Sequence, residues 1–123
     1  MAPSTLGLIL LSVTISALAQ ICLKLGMSSP AVQQAISTSG AAAIYAVSSS
    51  PAVIGGLALY GLGAIVWLSV LARINVSLAY PFVGIGFVMT AAFAVLILGE
   101  SVSKPTIIGT SLIAMGIIVL ARA

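Results

Sequence analysis

No histidine occurs among the 123 residues of this chain, one residue is acidic and one is cysteine. The lone Cys22 excludes an intrachain disulfide and a cysteine-based metal site. With Glu100 as the sole carboxylate, a single chain cannot assemble an acid–base pair or a metal centre. Neither an enzyme nor a cofactor is therefore expected. Charge of both signs is scarce at 4% of residues, where a soluble domain carries roughly 25%. A net charge of +3 spread over so few side chains makes no patch for nucleic acid.

What the chain has instead is apolar length, with 62% of its residues hydrophobic. A transmembrane helix needs about 20 predominantly apolar residues, and the sequence predicts four, at about 4–27, 52–72, 77–99 and 105–122. Ser50-Pro51 and Ser103 read as helix caps. The expected fold is one all-α membrane domain over 1–123, a bundle of four transmembrane helices whose short links make neighbours antiparallel. The segment 28–50 is uncharged and rich in Ser, Ala and Gln, with Ser29-Pro30 as a start signal. It reads as an interfacial helix within 30–48, or else as an extension of the second span. Ala17-Leu18-Ala19 has the form of a signal-peptidase site, but nothing basic precedes Leu6 except the amino terminus and the apolar run continues past it, so cleavage is not expected.

Basic residues give almost no orientation signal. Lys24 and Lys104 fall toward one face of the membrane, Arg73 and Arg122 toward the other. Either the low charge is simply permissive, or both orientations insert and form an antiparallel dimer with inverted symmetry.

The most informative pattern is a polar stripe. Ser12, Ser16, Gln20 and Lys24 recur every four residues in the first span, each step winding about 40° around the helix. Lipid offers polar atoms no hydrogen bonds, so such a stripe must face another helix or a wet cavity. Lys24 can snorkel to the interface, whereas Gln20, one turn deeper, needs partners. Together an ammonium and an amide suit an anionic headgroup. Trp67 and Tyr60 either line a cavity or join an interfacial aromatic belt, and the position of Trp67 near a span end favours the belt. In the third span Tyr80-Pro81 precedes Gly84 and Gly86, a kinked and notched stretch that serves packing or a hinge. Gly109 and Gly116 share a face of the fourth span and suit a helix contact, within the chain or across a dimer. Glu100 and Lys104, four residues apart, read as a structural ion pair.

Ser16-Ala17-Leu18-Ala19-Gln20-Ile21-Cys22-Leu23-Lys24 resembles the first helix of the aminoarabinose-phosphoundecaprenol flippase subunits. Val66-Trp67-Leu68-Ser69-Val70-Leu71 and Ser77-Leu78-Ala79-Tyr80-Pro81 are similar to their second and third helices. Leu98-Gly99-Glu100-Ser101-Val102-Ser103, with Ile108-Gly109 and Met115-Gly116, resembles the closing signature of the wider drug/metabolite transporter superfamily. The small multidrug exporters of that superfamily carry an essential first-helix glutamate, and the matching position here is Ser16. The resemblance implies a multi-pass protein of the bacterial inner membrane that dimerises with itself or a paralogue. Its implied substrate is a polyprenyl-phosphate-linked sugar or similar anionic lipid, held by Lys24, Gln20, Ser16, Tyr80 and Trp67. Export of a small cationic or neutral metabolite, and a non-transporting subunit role, are the alternatives. The segment 28–50 departs from the compact first loop of the family.

Overall fold

The computed structural model describes residues 2–122, which hold helices and no strand. In chain order the helices are α1 (Pro3–Met27), α2 (Pro30–Thr38), α3 (Gly40–Ser49), α4 (Pro51–Leu71), α5 (Val76–Ala79), α6 (Val83–Leu98) and α7 (Lys104–Ala121), with a 3-10 turn at Tyr80–Phe82 between α5 and α6. Four stretches are long and apolar enough to cross a membrane: Pro3–Met27, Pro51–Leu71, Val76–Leu98 and Lys104–Ala121. Residues 1 and 123 of the expected domain lie outside the described residues.

Serine starts four of these helices. Ser29, Ser39, Ser50 and Ser103 each accept a bond from the backbone N–H three residues on. Proline follows in the first turn of α2, α4 and α7, where a missing N–H costs nothing. Ser29 also donates to the Gly26 carbonyl at 2.9 Å, so one side chain closes α1 and opens α2. The segment 28–50 therefore forms two helices rather than the single one expected. The break falls at Ser39, whose extended backbone (φ −164°, ψ 163°) ends α2 and caps α3. The pair folds over the end of α1 and the start of α4, leaving Ile44 and Tyr45 largely exposed. At the same end of the bundle α6 stops at Gly99, whose left-handed φ of 68° lets Glu100 N–H reach the Ala94 carbonyl.

Helices α1 and α4 make the closest crossing, and glycine permits it. A Cβ on Gly26 would stand 2.8 Å from the Val53 nitrogen, one on Gly56 2.9 Å from Leu23 Cγ, and one on Gly63 2.9 Å from Ser16 Oγ. Residue numbers fall along α1 as they rise along α4, which fixes an antiparallel register. A Cβ on Gly55 or Gly61 would meet nothing within 4 Å beyond its own stretch of helix, so only part of the glycine content of α4 serves this contact.

The apolar core lies at the end of the bundle where α4 turns into α5. Ile9, Val13, Val70, Ala79, Phe82 and Ile117 are buried together there. Pro81 cannot donate to a helical ladder; the chain tightens into the 3-10 turn and drives Phe82 into the core at 1% exposure. Helix α6 meets α1 where a Cβ on Gly86 would touch Val13 and where Thr14 Oγ1, which donates to the Leu10 carbonyl within α1, lies 3.7 Å from Met89 Sδ. Helix α7 docks on α6 at Gly84, where a Cβ would stand 2.8 Å from Ile117 and 2.9 Å from Ile113. Most of α7 is otherwise open, and a Cβ on Gly109 or Gly116 would meet nothing within 4 Å beyond its own stretch of helix.

Gly56→Leu will force α1 from α4 and destabilise the protein by about 1–3 kcal/mol, the usual cost of overpacking. Gly61→Leu, on an open face, will leave stability nearly unchanged. The temperature at which each variant loses its monodisperse peak in detergent, compared with the parent protein, checks both.

Candidate functional site

Between α1, α4 and α6, beside the buried core, lies a groove of about 340 Å³. Each helix contributes one face at the i, i+3, i+4, i+7 spacing that aligns side chains along a helix. From α1 come Val13, Ser16, Ala17 and Gln20, with Ser12 beside them; from α4 come Tyr60, Gly63, Ala64 and Trp67; from α6 come Val83, Gly86, Phe87 and Thr90. Tyr80 of the 3-10 turn completes the lining.

The polar stripe divides along its length. Ser12 is 3% exposed and donates to the Gly63 carbonyl at 2.8 Å. That hydroxyl is a rivet between α1 and α4, made possible because Gly63 has no side chain to hold the helices apart. Ser16, half-buried, and Gln20, exposed, border the groove. Lys24 lies one turn beyond Gln20, exposed and outside the groove lining. The sequence placed Lys24, Gln20, Ser16, Tyr80 and Trp67 at one binding site; the structure gathers the last four, and Lys24 stands past the end they define.

By the antiparallel register, Tyr60 stands near the level of Gln20 and Trp67 near that of Ser12. The groove thus runs along the middle of the spans, where transporter sites commonly lie. Trp67 is half-buried in its wall, because the i+7 step from Tyr60 through Gly63 turns it toward the groove. Tyr60, Tyr80 and Phe87 keep 49%, 64% and 60% of their surface exposed, so the groove opens sideways from the bundle.

Four of the chain's seven aromatic residues line this groove, and no charged residue does. Hydroxyls of Ser16, Tyr60, Tyr80 and Thr90 and the Gln20 amide can both donate and accept hydrogen bonds. Taking an unpaired ion into such a place costs several kcal/mol, and aromatic faces return about 0.5–2 kcal/mol to a cation. The lining favours a neutral, hydroxyl-rich ligand with an apolar face. Among the described residues no cluster of His, Cys, Asp and Glu could hold a metal ion.

Sequence reasoning did not pick out Phe87 and Thr90. The signal was present, since Thr90 is polar in an apolar run and Val83, Gly86, Phe87 and Thr90 repeat the spacing of the α1 face. Of the residues expected to form a hinge, Pro81 shapes the 3-10 turn, Gly84 receives α7 and Gly86 faces α1 across the groove. Glu100 and Lys104 are both exposed, the glutamate in the α6–α7 link and the lysine opening α7.

These features define a multi-pass helical membrane protein with a groove among its spans. Comparison with known proteins shows what the chain is similar to. The chain is 38% identical over 66 residues to a probable 4-amino-4-deoxy-L-arabinose-phosphoundecaprenol flippase subunit, ArnE, of Pseudomonas savastanoi pv. phaseolicola, covering 54% of this chain and 58% of the relative. The ArnE of Klebsiella pneumoniae is 40% identical over 67 residues, 53% of this chain and 60% of that one. An uncharacterized protein of Sinorhizobium fredii is 35% identical over 74 residues, 59% of this chain and 63% of that one. The chain thus spans about three fifths of the length of the curated relatives it matches. No family model and no solved structure matches it. Over about half its length, this chain is similar to the aminoarabinose-phosphoundecaprenol flippase subunits.

Ser12→Ala will remove the hydrogen bond to Gly63 and destabilise the protein by about 0.6 kcal/mol, typical of interhelical bonds in membranes. Ser16→Ala, at the groove edge, will leave stability unchanged. Unfolding free energies from denaturant titration in mixed micelles separate the two.

Proposed function

We propose that this chain is a subunit of a flippase that moves a polyprenyl-phosphate-linked sugar, or a similar anionic lipid, across the bacterial inner membrane, and that it transports without catalysing a reaction. The observation that carries this reading is the groove: lined by hydroxyls, an amide and aromatic rings, halfway along the spans, and open to the side. A headgroup can travel along such a groove while its polyprenyl tail stays in lipid. The named relatives, flippase subunits for a lipid of this kind, point the same way.

In this reading Gln20, Ser16, Tyr80 and Trp67 hold the headgroup. Lys24, about 6 Å further along α1 by helical rise, neutralises the phosphate as it enters or leaves. Pro81, with Gly84 and Gly86, gives the third span the bend on which the groove opens and closes. The open face of α7 at Gly109 and Gly116 serves a dimer, with a second copy or a paralogue, in inverted orientation. Glu100 and Lys104 pair at the surface of the α6–α7 link. Proton-coupled export of a cation is not favoured, because Ser16 stands where that chemistry needs a carboxylate and the groove has none.

In liposomes holding the purified protein, with a co-reconstituted paralogue in a parallel sample, polyprenyl-phosphate-linked sugars will cross the bilayer faster than in empty liposomes. Lys24→Ala will slow that crossing by roughly tenfold, the effect of losing one charge-assisted contact, while Glu100→Gln leaves the rate unchanged. Flipping that needs the paralogue establishes a subunit role. Flipping abolished by Glu100→Gln and untouched by Lys24→Ala refutes the scheme.

A further inference from the structure

We infer that the groove selects an uncharged sugar: it takes the hydroxyl-bearing ring of the lipid-linked headgroup, leaves the phosphate outside at Lys24, and discriminates against a ring carrying an ammonium. This rests on the flippase reading and narrows its substrate. The named relatives take their title from an amino sugar; the residues of this groove point to a different headgroup.

Charge decides the matter. The lining holds no carboxylate, and Glu100, the only one in the chain, stands in the link after α6. From Thr90, the last residue of α6 in the lining, the helix runs on to Leu98, about 12 Å away from the groove. An ammonium in the groove would find aromatic faces and hydroxyl oxygens but no countercharge, and would have shed its water to enter. The phosphate is excluded by the same inventory, since Lys24 lies beyond the lining. A neutral pyranose suits what is there. Its hydroxyls both donate and accept, as do Ser16, Gln20 and Thr90, and its C–H face can rest on Trp67 or Phe87. The volume of about 340 Å³ equals the liquid share of roughly eleven waters, room for one sugar ring.

Trp67 is the only tryptophan in the chain and stands in the groove wall, so its fluorescence reports occupancy directly. The test titrates the full-length protein in nanodiscs with two soluble probes, geranyl-phosphoarabinose and geranyl-phospho-4-amino-4-deoxyarabinose, which differ by one hydroxyl-for-ammonium exchange. The arabinose probe will bind roughly tenfold or more tightly than the amino probe. Gln20→Ala and, separately, Thr90→Val will each weaken the arabinose probe by roughly fivefold, with the emission maximum of the empty protein unchanged. Equal or tighter binding of the amino probe overturns the inference and leaves the lipid-linked-sugar reading standing. Displacement of the arabinose probe by tetraethylammonium overturns it in favour of a cation site. No saturable response to either sugar probe overturns both the inference and the reading it rests on.

Discussion

The distance between α1 and α4 governs the rest of the molecule. Gly26, Gly56 and Gly63 let the two backbones approach until Ser12 Oγ bonds the Gly63 carbonyl across the gap. Helix association in lipid has no hydrophobic drive of its own, so close packing and interhelical hydrogen bonds must supply it. That contact sets the register of Tyr60 and Trp67 against Ser16 and Gln20. Helix α6 then closes a third wall through Gly86 and Met89, and the anchored Phe82 fixes how far Tyr80 reaches along it. The groove is the space this arrangement leaves.

Charge is distributed to match. Lys24, Arg73, Glu100, Lys104 and Arg122 are all exposed and stand at or beyond helix ends, which leaves the groove to hydroxyls, an amide and aromatic rings. In the proposed flippase, a polar but neutral groove would offer a headgroup hydrogen bonds without a deep electrostatic well to hold it there. Movement across a bilayer requires that balance, since a site that binds too tightly traps its cargo. In the proposed flippase, the open flank gives the lipid tail its route.

Much of the fold was legible in the sequence, for identifiable physical reasons. The four long apolar runs stood out because a helix spanning lipid must be apolar along its length. The Ser-Pro starts of α2 and α4, and Ser103 before α7, were legible because capping is local chemistry among adjacent residues. The stripe on α1 marked a groove wall because a polar atom in lipid needs a partner, and that rule holds without knowing the partner. Less legible was the segment 28–50, where Ser39 both ends one helix and begins the next, and short helices carry weak periodic signal.

The sequence alone determined that this is a four-span helical membrane protein lacking a membrane-embedded carboxylate, with one span whose polar face seeks company. Composition and helical period decide these things, and both are properties of the chain read in one dimension. Only the tertiary structure decided that Ser12 is a rivet and Ser16 a groove residue, that Gly56 and Gly63 pack while Gly55 and Gly61 do not, and that Trp67 turns inward. It also set Lys24 beyond the groove and brought Phe87 and Thr90 into it. Those outcomes depend on the rotation of each helix about its axis relative to its neighbours, which is fixed by close packing between residues as far apart in the chain as Ser12 and Gly63.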